Sequence, residues 1–302
     1  MSILVVGSLN MDINFRVPEF VRPGQTIAAR GMFFSDGGKG SNQATAAGRL
    51  GGHVTMLGCV GNDDSGRALT GHLAADGIDV SSVKVTDDAP TGTAMIEVED
   101  SGQNRIIVSR GSNDLCTPDY IRAHADLIKN ADYIVLQQEI PLETIYAVLE
   151  TAHEGGAKVI LNPAPFNPDF DPTYYQFVDY LTPNETELDG LVQKDLSREE
   201  KMWYMAGLGV DNVVVTVGEE GCLILSDGVL TRVPAFRVKA VDTVGAGDCF
   251  NGAMAVKLDE GATLEEACLF AAAASAISVT RASARDSMPH RPETDAFLQQ
   301  HK

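Results

Sequence analysis

Val241-Asp242-Thr243-Val244-Gly245-Ala246-Gly247-Asp248-Cys249-Phe250-Asn251-Gly252 carries a β-branched approach into a turn with glycines at 245 and 247, then into an apolar run that reaches Val256. That succession predicts a helix opening at Gly245 to Asp248. Two glycines there let backbone N–H groups converge on one point at a helix N-terminus, an anion site suited to a transferring phosphoryl group. An aspartate at the end of the turn can face an attacking hydroxyl. In phosphoryl transfer, positioning and charge neutralisation supply most of the acceleration and one carboxylate accepts the proton. A glycine-rich helix cap with an exposed aspartate has the same local pattern, so the rest of the chain decides between them.

Outward from this stretch, short β-branched runs at Ile3–Val6, Val54–Val60, Tyr133–Leu136, Lys158–Leu161 and Asn212–Thr216 alternate with amphipathic segments such as Pro118–Lys129 and Leu142–His153. The alternation predicts an α/β protein with a mostly parallel sheet covered by helices. At 302 residues the chain is expected to be one domain. Two segments, at about 12–36 and 91–110, break the pattern. In the second, Met95–Val98 and Arg105–Val108 read as a hairpin around Asp100-Ser101-Gly102. Both segments are expected to supply strands of a small inserted sheet. Thr263-Leu264-Glu265-Glu266 has a capping-box pattern ahead of a long Ala-rich helix.

A formal net charge of -19 gives no cationic footprint for nucleic acid or an anionic membrane. Neither is an expected partner. Five scattered cysteines without Cys-x-x-Cys spacing fit a reducing, cytoplasmic compartment. The apolar run at Ile3–Val6 is too short for a signal segment, and no stretch has the length needed to span a bilayer.

Gly37-Gly38-Lys39-Gly40-Ser41-Asn42-Gln43-Ala44 is a flexible turn before a helix that begins near Ser41. Gly38 and Gly40 let backbone approach a polyol, while Lys39 and Asn42 offer donors. It is not a Walker loop, because Gly stands where Ser or Thr must follow the Gly-Lys pair, and Gly7-Ser8-Leu9 supplies no dinucleotide fingerprint. Asn10 and Asp12 follow the first strand, at the end of the sheet where open α/β folds bind ligands. A surface Asx turn is the bland reading of the same residues. Asn184, with Glu187 three residues on, satisfies a helix N-cap. Thr216-Val217-Gly218-Glu219-Glu220-Gly221 reads as a tight hairpin before an apolar run.

Asp242 to Phe250, together with Gly37 to Ala44, resembles the two motifs of the ribokinase-like (phosphofructokinase B) carbohydrate kinase family, in the right order, and the resemblance runs from Ile3 to about Pro289. It implies a three-layer α/β sandwich with a small β-sheet lid. It implies an ATP-dependent kinase acting on a primary sugar hydroxyl, with Asp248 as base and Gly245, Ala246 and Gly247 as an anion hole. It places Asn10, Asp12, Gly38, Lys39, Gly40, Asn42 and Glu139 against the sugar, and Asn184, Thr216, Gly218, Gly221 and Gly247 against the nucleotide. Glu187 is implied to organise water-bound Mg²⁺. A K⁺ site is implied at Asp242, Val244, Ser278, Arg281, Ser283 and Ser287. The segment departs from the family pattern there, with Ser283 where Gly is customary and Arg285-Asp286 where an uncharged pair is common.

Family members acting on phosphorylated sugars tend to carry an Arg soon after the Gly-Gly-Lys-Gly run, and this chain has Gln43-Ala44-Thr45. With Asn10, Asp12 and Asn162-Pro163-Ala164-Pro165, that favours D-ribose, converted to ribose 5-phosphate. Deoxyribose, fructose or a nucleoside are the alternatives, as is a sugar-binding regulator without catalysis. The missing fingerprint argues against a nicotinamide dehydrogenase. A homodimer through the lid sheet is a further expectation from the resemblance.

Overall fold

Along β1 (Ile3–Val6) every side chain is buried, yet Ile3 and Val5 enter one hydrophobic cluster and Leu4 and Val6 another. A strand turns successive side chains to opposite faces, so an unbroken apolar run marks a strand covered on both sides. The computed structural model describes residues 2–301.

After β1 come β2 (Asn10–Val17), β3 (Gly31–Gly37), α1 (Lys39–Arg49), β4 (Val54–Leu57), β5 (Cys59–Gly61), α2 (Asp64–Ala75) and β6 (Lys84–Thr86). The middle of the chain forms β7 (Gly92–Glu99), β8 (Asn104–Ser109), α3 (Pro118–Ala123), α4 (Ala125–Lys129), β9 (Tyr133–Leu136), α5 (Leu142–Gly155) and β10 (Lys158–Leu161). Then follow β11 (Tyr180–Leu181), α6 (Glu185–Leu191), α7 (Arg198–Gly207), β12 (Asn212–Thr216), β13 (Cys222–Ser226) and β14 (Val229–Val233). The chain closes with α8 (Ala246–Asp259), α9 (Leu264–Ser278) and α10 (Arg291–Gln300).

The large sheet has the order β14-β13-β12-β11-β10-β9-β1-β4 and is parallel from β4 to β12. α1, α2, α8 and α9 pack on one face, and α3 to α7 on the other. Parallel register aligns Val6 with Leu136, Leu136 with Leu161, and Leu161 with Leu181. Whatever follows these strands therefore collects along one edge: Gly7-Ser8, Gln137 to Glu139, Asn162 and Asn184. This is the edge at which open parallel sheets hold ligands.

The segments that break the alternation form a separate sheet of order β3-β2-β7-β8, with β2 and β7 parallel and each paired antiparallel to an outer strand. The hairpin pairs Met95 with Ile107 and Glu97 with Arg105. Met32, Phe33, Phe34, Ile106, Ile107 and Val108 on its outer strands are exposed.

Three expectations need correction. Val54–Val60 is two strands, because the chain leaves the large sheet at Gly58, where a Cβ would lie 2.7 Å from the Gly7 carbonyl, and pairs Cys59–Gly61 with β6. The amphipathic run Pro118–Lys129 breaks at His124, whose N–H donates to the Ile121 carbonyl at 2.9 Å. Ile121 and Ile128 still enter the same cluster, so the apolar spacing survives the break. The first helix starts at Lys39 rather than near Ser41.

Candidate active site

Asp248 lies in the first turn of α8, is only 6 % exposed, and is held by two amides. Asn42 Nδ2 donates to Asp248 Oδ2 at 3.0 Å and Gln43 Nε2 to Oδ1 at 2.9 Å. α1 therefore presents successive side chains, Asn42 and Gln43, to both oxygens of one carboxylate. The two helices approach closely because position 252 is glycine: a Cβ there would lie 2.5 Å from the Gln43 carbonyl. Burial pushes the Asp248 pKa up. The Lys39 charge and the two amide donors pull the other way, and Glu139 adds to the rise. A carboxylate lifted toward neutrality is a better proton acceptor than an ordinary surface aspartate.

Gly245, N-cap of α8, has φ 77°, the left-handed region that favours glycine, and a Cβ there would press on Ala284 at 2.9 Å. Gly247 is exposed with open space where a Cβ would sit, so nothing blocks approach to the helix start. The Ala246 amide donates to the Thr243 carbonyl at 3.2 Å, so of the three amides expected at the anion hole this one is already engaged in the turn.

Near Asp248, the sheet edge gathers the residues expected at the sugar. Glu139 Oε2 accepts from Ser8 Oγ at 2.5 Å and from the Lys39 amide at 2.9 Å. Asn10 is buried, and its Oδ1 accepts from Asn113 Nδ2 at 2.7 Å; Asn113 Oδ1 in turn takes the Leu9 amide. A cavity of about 250 Å³ is lined by Asn10, Val108, Arg110, Asn113, Glu139 and Pro165. Asp12 sits against Gly37, and burial, Glu139, Asp36 and Asp248 together raise its pKa to about 7. Burial works against the charge on Lys39, but Asp248, Glu139 and Glu187 outweigh it and the amine's pKa is raised. Gly38 has φ 87° and its carbonyl accepts from the Asn42 amide at 2.9 Å. Gly40 is buried on the Gly7-Ser8 backbone, and its amide donates to Ser8 Oγ at 3.3 Å. Its role is close packing of α1 on the strand exit rather than an open approach to a ligand.

On the far side, Asn184 caps α6 through a reciprocal pair: its Oδ1 accepts the Glu187 amide at 2.8 Å while Glu187 Oε2 accepts the Asn184 amide at 2.9 Å. One carboxylate oxygen of Glu187 is thus left over. Burial raises its pKa, the Asn184 amide and Lys39 oppose the rise, and Asp248 adds to it. Asn184 bridges to Thr216 across the strand ends. Gly218 has φ 54° and open space around it, whereas Gly221 is packed under Val233 and serves the hairpin. No group of three or more His, Cys, Asp or Glu able to hold a metal exists among the described residues. The Glu187 oxygen outside the cap pair is a single carboxylate donor, which suits an ion such as Mg²⁺ that keeps most of its water shell.

Asp242 Oδ1 accepts from the Val244 amide at 3.0 Å and Oδ2 from the Ser283 amide at 3.1 Å. Ser283 keeps the left-handed conformation, φ 78°, that the customary glycine would take. Ser278 Oγ and Ser287 Oγ are 2.7 Å apart. The Ser278 carbonyl already accepts from the Arg281 amide at 3.0 Å and the Ser287 carbonyl from Arg281 Nη1 at 3.3 Å. A carbonyl has a second lone pair, so each keeps one acceptor position for the K⁺ that the resemblance implies.

The sequence did not mark Gln43 as a site residue, yet it is the hub of a buried polar network. It accepts from Gln137 Nε2 at 2.8 Å and donates to Asn162 Oδ1 at 3.2 Å as well as to Asp248. The network continues from Asn162 to the Thr182 carbonyl, from Thr182 Oγ1 to Asn251, and from Asn251 Nδ2 to the Gly247 carbonyl. The available signal was a run of polar residues early in a helix, Ser41, Asn42, Gln43 and Thr45, interrupted only by Ala44; all of them turn out buried.

A buried, amide-braced aspartate beside an open glycine helix start, on a doubly covered parallel sheet, is the arrangement of a phosphoryl-transferring sugar kinase. The profile of the pfkB family of carbohydrate kinases matches residues 1–291, and the chain belongs to that family. Among its relatives, the chain is 35 % identical to the ribokinase of Haemophilus influenzae over 99 % of this chain and 98 % of that one. The crystal structure of Thermotoga maritima ribokinase superposes with a TM-score of 0.93 at 41 % identity, covering 99 % of each chain. That of Arabidopsis thaliana ribokinase complexed with ribose and ATP gives 0.93 at 31 % identity, covering 99 % of this chain and 98 % of that one.

Proposed function

We propose that the protein transfers the γ-phosphoryl group of ATP to the primary hydroxyl of D-ribose, giving ribose 5-phosphate. The observation that carries the proposal is Asp248: a buried carboxylate, braced on both oxygens, one turn from a glycine helix start with open space above it. The names of the relatives, ribokinases over nearly the whole chain, support ribose as the acceptor.

In this reading Asp248 accepts the hydroxyl proton as the oxygen attacks. Asn42 and Gln43 fix the carboxylate so that no reorganisation is needed at the moment of transfer. Asn10, Asp12, Glu139 and Lys39 hold the sugar hydroxyls. Asn42 Oδ1, buried without a hydrogen-bond partner among the described residues, is a further acceptor for one of them. The amides of Gly245 and Gly247 receive the phosphoryl oxygens, and Lys39, in the field of Asp248 and Glu187, balances charge between donor and acceptor. Asn184, Thr216 and Gly218 form the nucleotide side. Glu187 would hold Mg²⁺ through water, and the ion neutralises phosphate charge when bound. A K⁺ held by carbonyls around Asp242 and Ser283 would steady the loop beneath Gly245.

The small sheet acts as a lid that excludes water from the site. The apolar residues exposed on its two edge strands, Met32 to Phe34 and Ile106 to Val108, suit a second copy of this chain, and sedimentation would read the resulting dimer. No helix among the described residues is long and apolar enough to cross a membrane, and all five cysteines are free and buried, as suits a reducing cytoplasm.

An ADP-release assay with a panel of pentoses, hexoses and nucleosides, with and without K⁺, tests the proposal. Ribose is expected to give the highest kcat/KM. Sugar-dependent thermal shifts without turnover would instead identify a binding protein on this fold.

A further inference from the structure

Asp36, at the end of β3, and Arg285, in the loop that departs from the family pattern, meet in a charge cluster outside the site just described. Arg285 Nη2 donates to Asp76 Oδ2 at 2.6 Å and to the His72 carbonyl at 3.3 Å. Its Nε lies 3.3 Å from Asp36 Oδ2 without forming a hydrogen bond, so the contact is an ion pair held by charge and burial. Asp76 also receives Arg49 Nε at 3.1 Å, and Arg49 Nη1 donates to the Arg285 carbonyl at 2.7 Å. Asp36 Oδ2 is 2.8 Å from His72 Nδ1 as well. The side chains of Arg285, Asp36 and Asp76 are 15 %, 9 % and 11 % exposed, so these are poorly hydrated charges held by one another. Without Arg285, Asp76 keeps Arg49 while Asp36 keeps His72, so Asp36 is the carboxylate that loses its guanidinium.

Each end of the cluster is tied through the backbone to one half of the site. Asp36 leads directly into Gly37, paired with Asn10, and Lys39, whose amide is bound by Glu139. At the other end Arg285 follows Ala284, whose Cα lies 3.0 Å from where a Gly245 Cβ would be, and Ser283, whose amide binds Asp242. Ser283 is left-handed without being glycine, and its hydroxyl is buried with no hydrogen-bond partner among the described residues. The loop beneath the phosphoryl-receiving turn therefore carries strain that its anchors must hold. Arg285 is the anchor that reaches the sugar-side strand.

We propose that Arg285 is a positioning residue that couples the sugar half of the site to the nucleotide half. Ribose fixes β3 and Lys39; the Asp36–Arg285 contact passes that constraint to the 283–287 loop and so to the backbone of Gly245 to Gly247. The inference rests on the functional reading above. Coupling of this kind is reciprocal, so ribose and nucleotide each tighten the binding of the other.

The test measures binding of a non-hydrolysable ATP analogue by calorimetry, with and without saturating ribose, in the full chain. Wild type, Arg285→Met, Asp36→Asn and the double variant are compared. Ribose is expected to tighten analogue binding in wild type. That ratio should fall by roughly threefold or more in each single variant and no further in the double variant, as one shared contact requires. KM for ATP should rise more than kcat falls, and Arg285→Lys, which keeps the charge but loses the planar fork, should recover part of the ratio. An Arg285→Met protein with a lowered Tm and an unchanged ratio overturns the proposal and leaves Arg285 a structural brace. So does a wild type in which the two ligands bind independently. If Arg285→Met does not fold, Asp36→Asn takes its place: a reduced ratio supports the coupling and an unchanged one overturns it. A wild type that binds neither ribose nor the analogue refutes the functional reading itself, and the coupling falls with it.

Discussion

Replacing Asp248 with Asn changes one atom's chemistry in a site that otherwise stays in place. Both carboxylate oxygens accept amide donors, at 3.0 Å from Asn42 and 2.9 Å from Gln43. An asparagine supplies one acceptor for the two. Gln43 cannot reverse its amide to compensate, because its Oε1 already accepts from Gln137. Asn42 can reverse its own amide, since its Oδ1 has no partner among the described residues, so the variant exchanges two charge-assisted hydrogen bonds, worth about 1.5–3 kcal/mol each, for neutral ones worth about 0.5–1.5 kcal/mol. Against that, the burial penalty that lifts the Asp248 pKa disappears with the charge. The two effects oppose each other, so stability should change little, within a few °C in Tm. Catalysis has no such compensation: loss of a positioned base lowers kcat by ~10²- to 10⁴-fold, about 2.7–5.5 kcal/mol in the barrier. Ribose affinity should stay within a few fold, because the group acts mainly in the transition state. Steady-state ADP release, sugar titration and a melt on one preparation read all three. An Asn variant that keeps more than about a tenth of kcat would refute the base assignment. Parallel collapse of kcat, sugar affinity and Tm would show that Asp248 is a structural element instead.

Three further outcomes follow from the same geometry. Gly247→Ala adds a methyl where there is open space, inside a helix and at an ordinary φ, so Tm should hold or rise slightly while kcat falls ~10- to 10³-fold; full activity would remove Gly247 from the anion hole. Gln43→Met removes a donor from Asp248 and strands Gln137 Nε2 and Asn162 Oδ1, so it should lower both kcat, by ~10-fold or more, and stability, by about 1–3 kcal/mol for each unpaired group; a denaturant titration indistinguishable from wild type would contradict the network. Asp12 has a pKa raised from 3.8 to about 7, so the folded state holds its proton more tightly than the unfolded state does, and the stability it contributes is complete below pH 3.8 and lost as pH rises through about 7. Ligand-free Asp12→Asn should therefore melt near wild type at pH 4 and above it at pH 8, by an upper bound of about 4 kcal/mol, and bind ribose more weakly; equal Tm differences at both pH values would count against it.

Much of the site could be read along the chain because its motifs are contiguous. Gly245 to Asp248 and Gly37 to Asn42 are each a turn running into a helix, and a turn's conformation is set by its own residues: glycine at a left-handed position, then an apolar helical run. The capping box at Asn184 and Glu187 is legible for the same reason, both partners lying within one turn of helix. The strand breaks were not. Nothing within Val54–Val60 announces that Gly58 must leave room for the Gly7 carbonyl, because that carbonyl lies some fifty residues away in sequence. Gln43 looked like an ordinary polar residue on α1; it is Gln137 and Asn162, delivered by the ends of β9 and β10, that fix it as the brace of Asp248.

From its residues alone this chain specifies a doubly covered parallel sheet, since unbroken apolar strands alternate with amphipathic helices, and two glycine turns with an aspartate and a lysine in the right local setting. Resemblance to a family then attaches a chemistry to those turns. What only the folded chain decides is how the turns face each other. Asp248 has its proton affinity raised because packing of α8 against α1 buries it away from water, and its oxygens are aimed because Asn42 and Gln43 reach them from that other helix. Electrostatics and hydrogen bonding depend on distance in space, and for this site the distances are set by sheet register and helix packing between residues some two hundred positions apart.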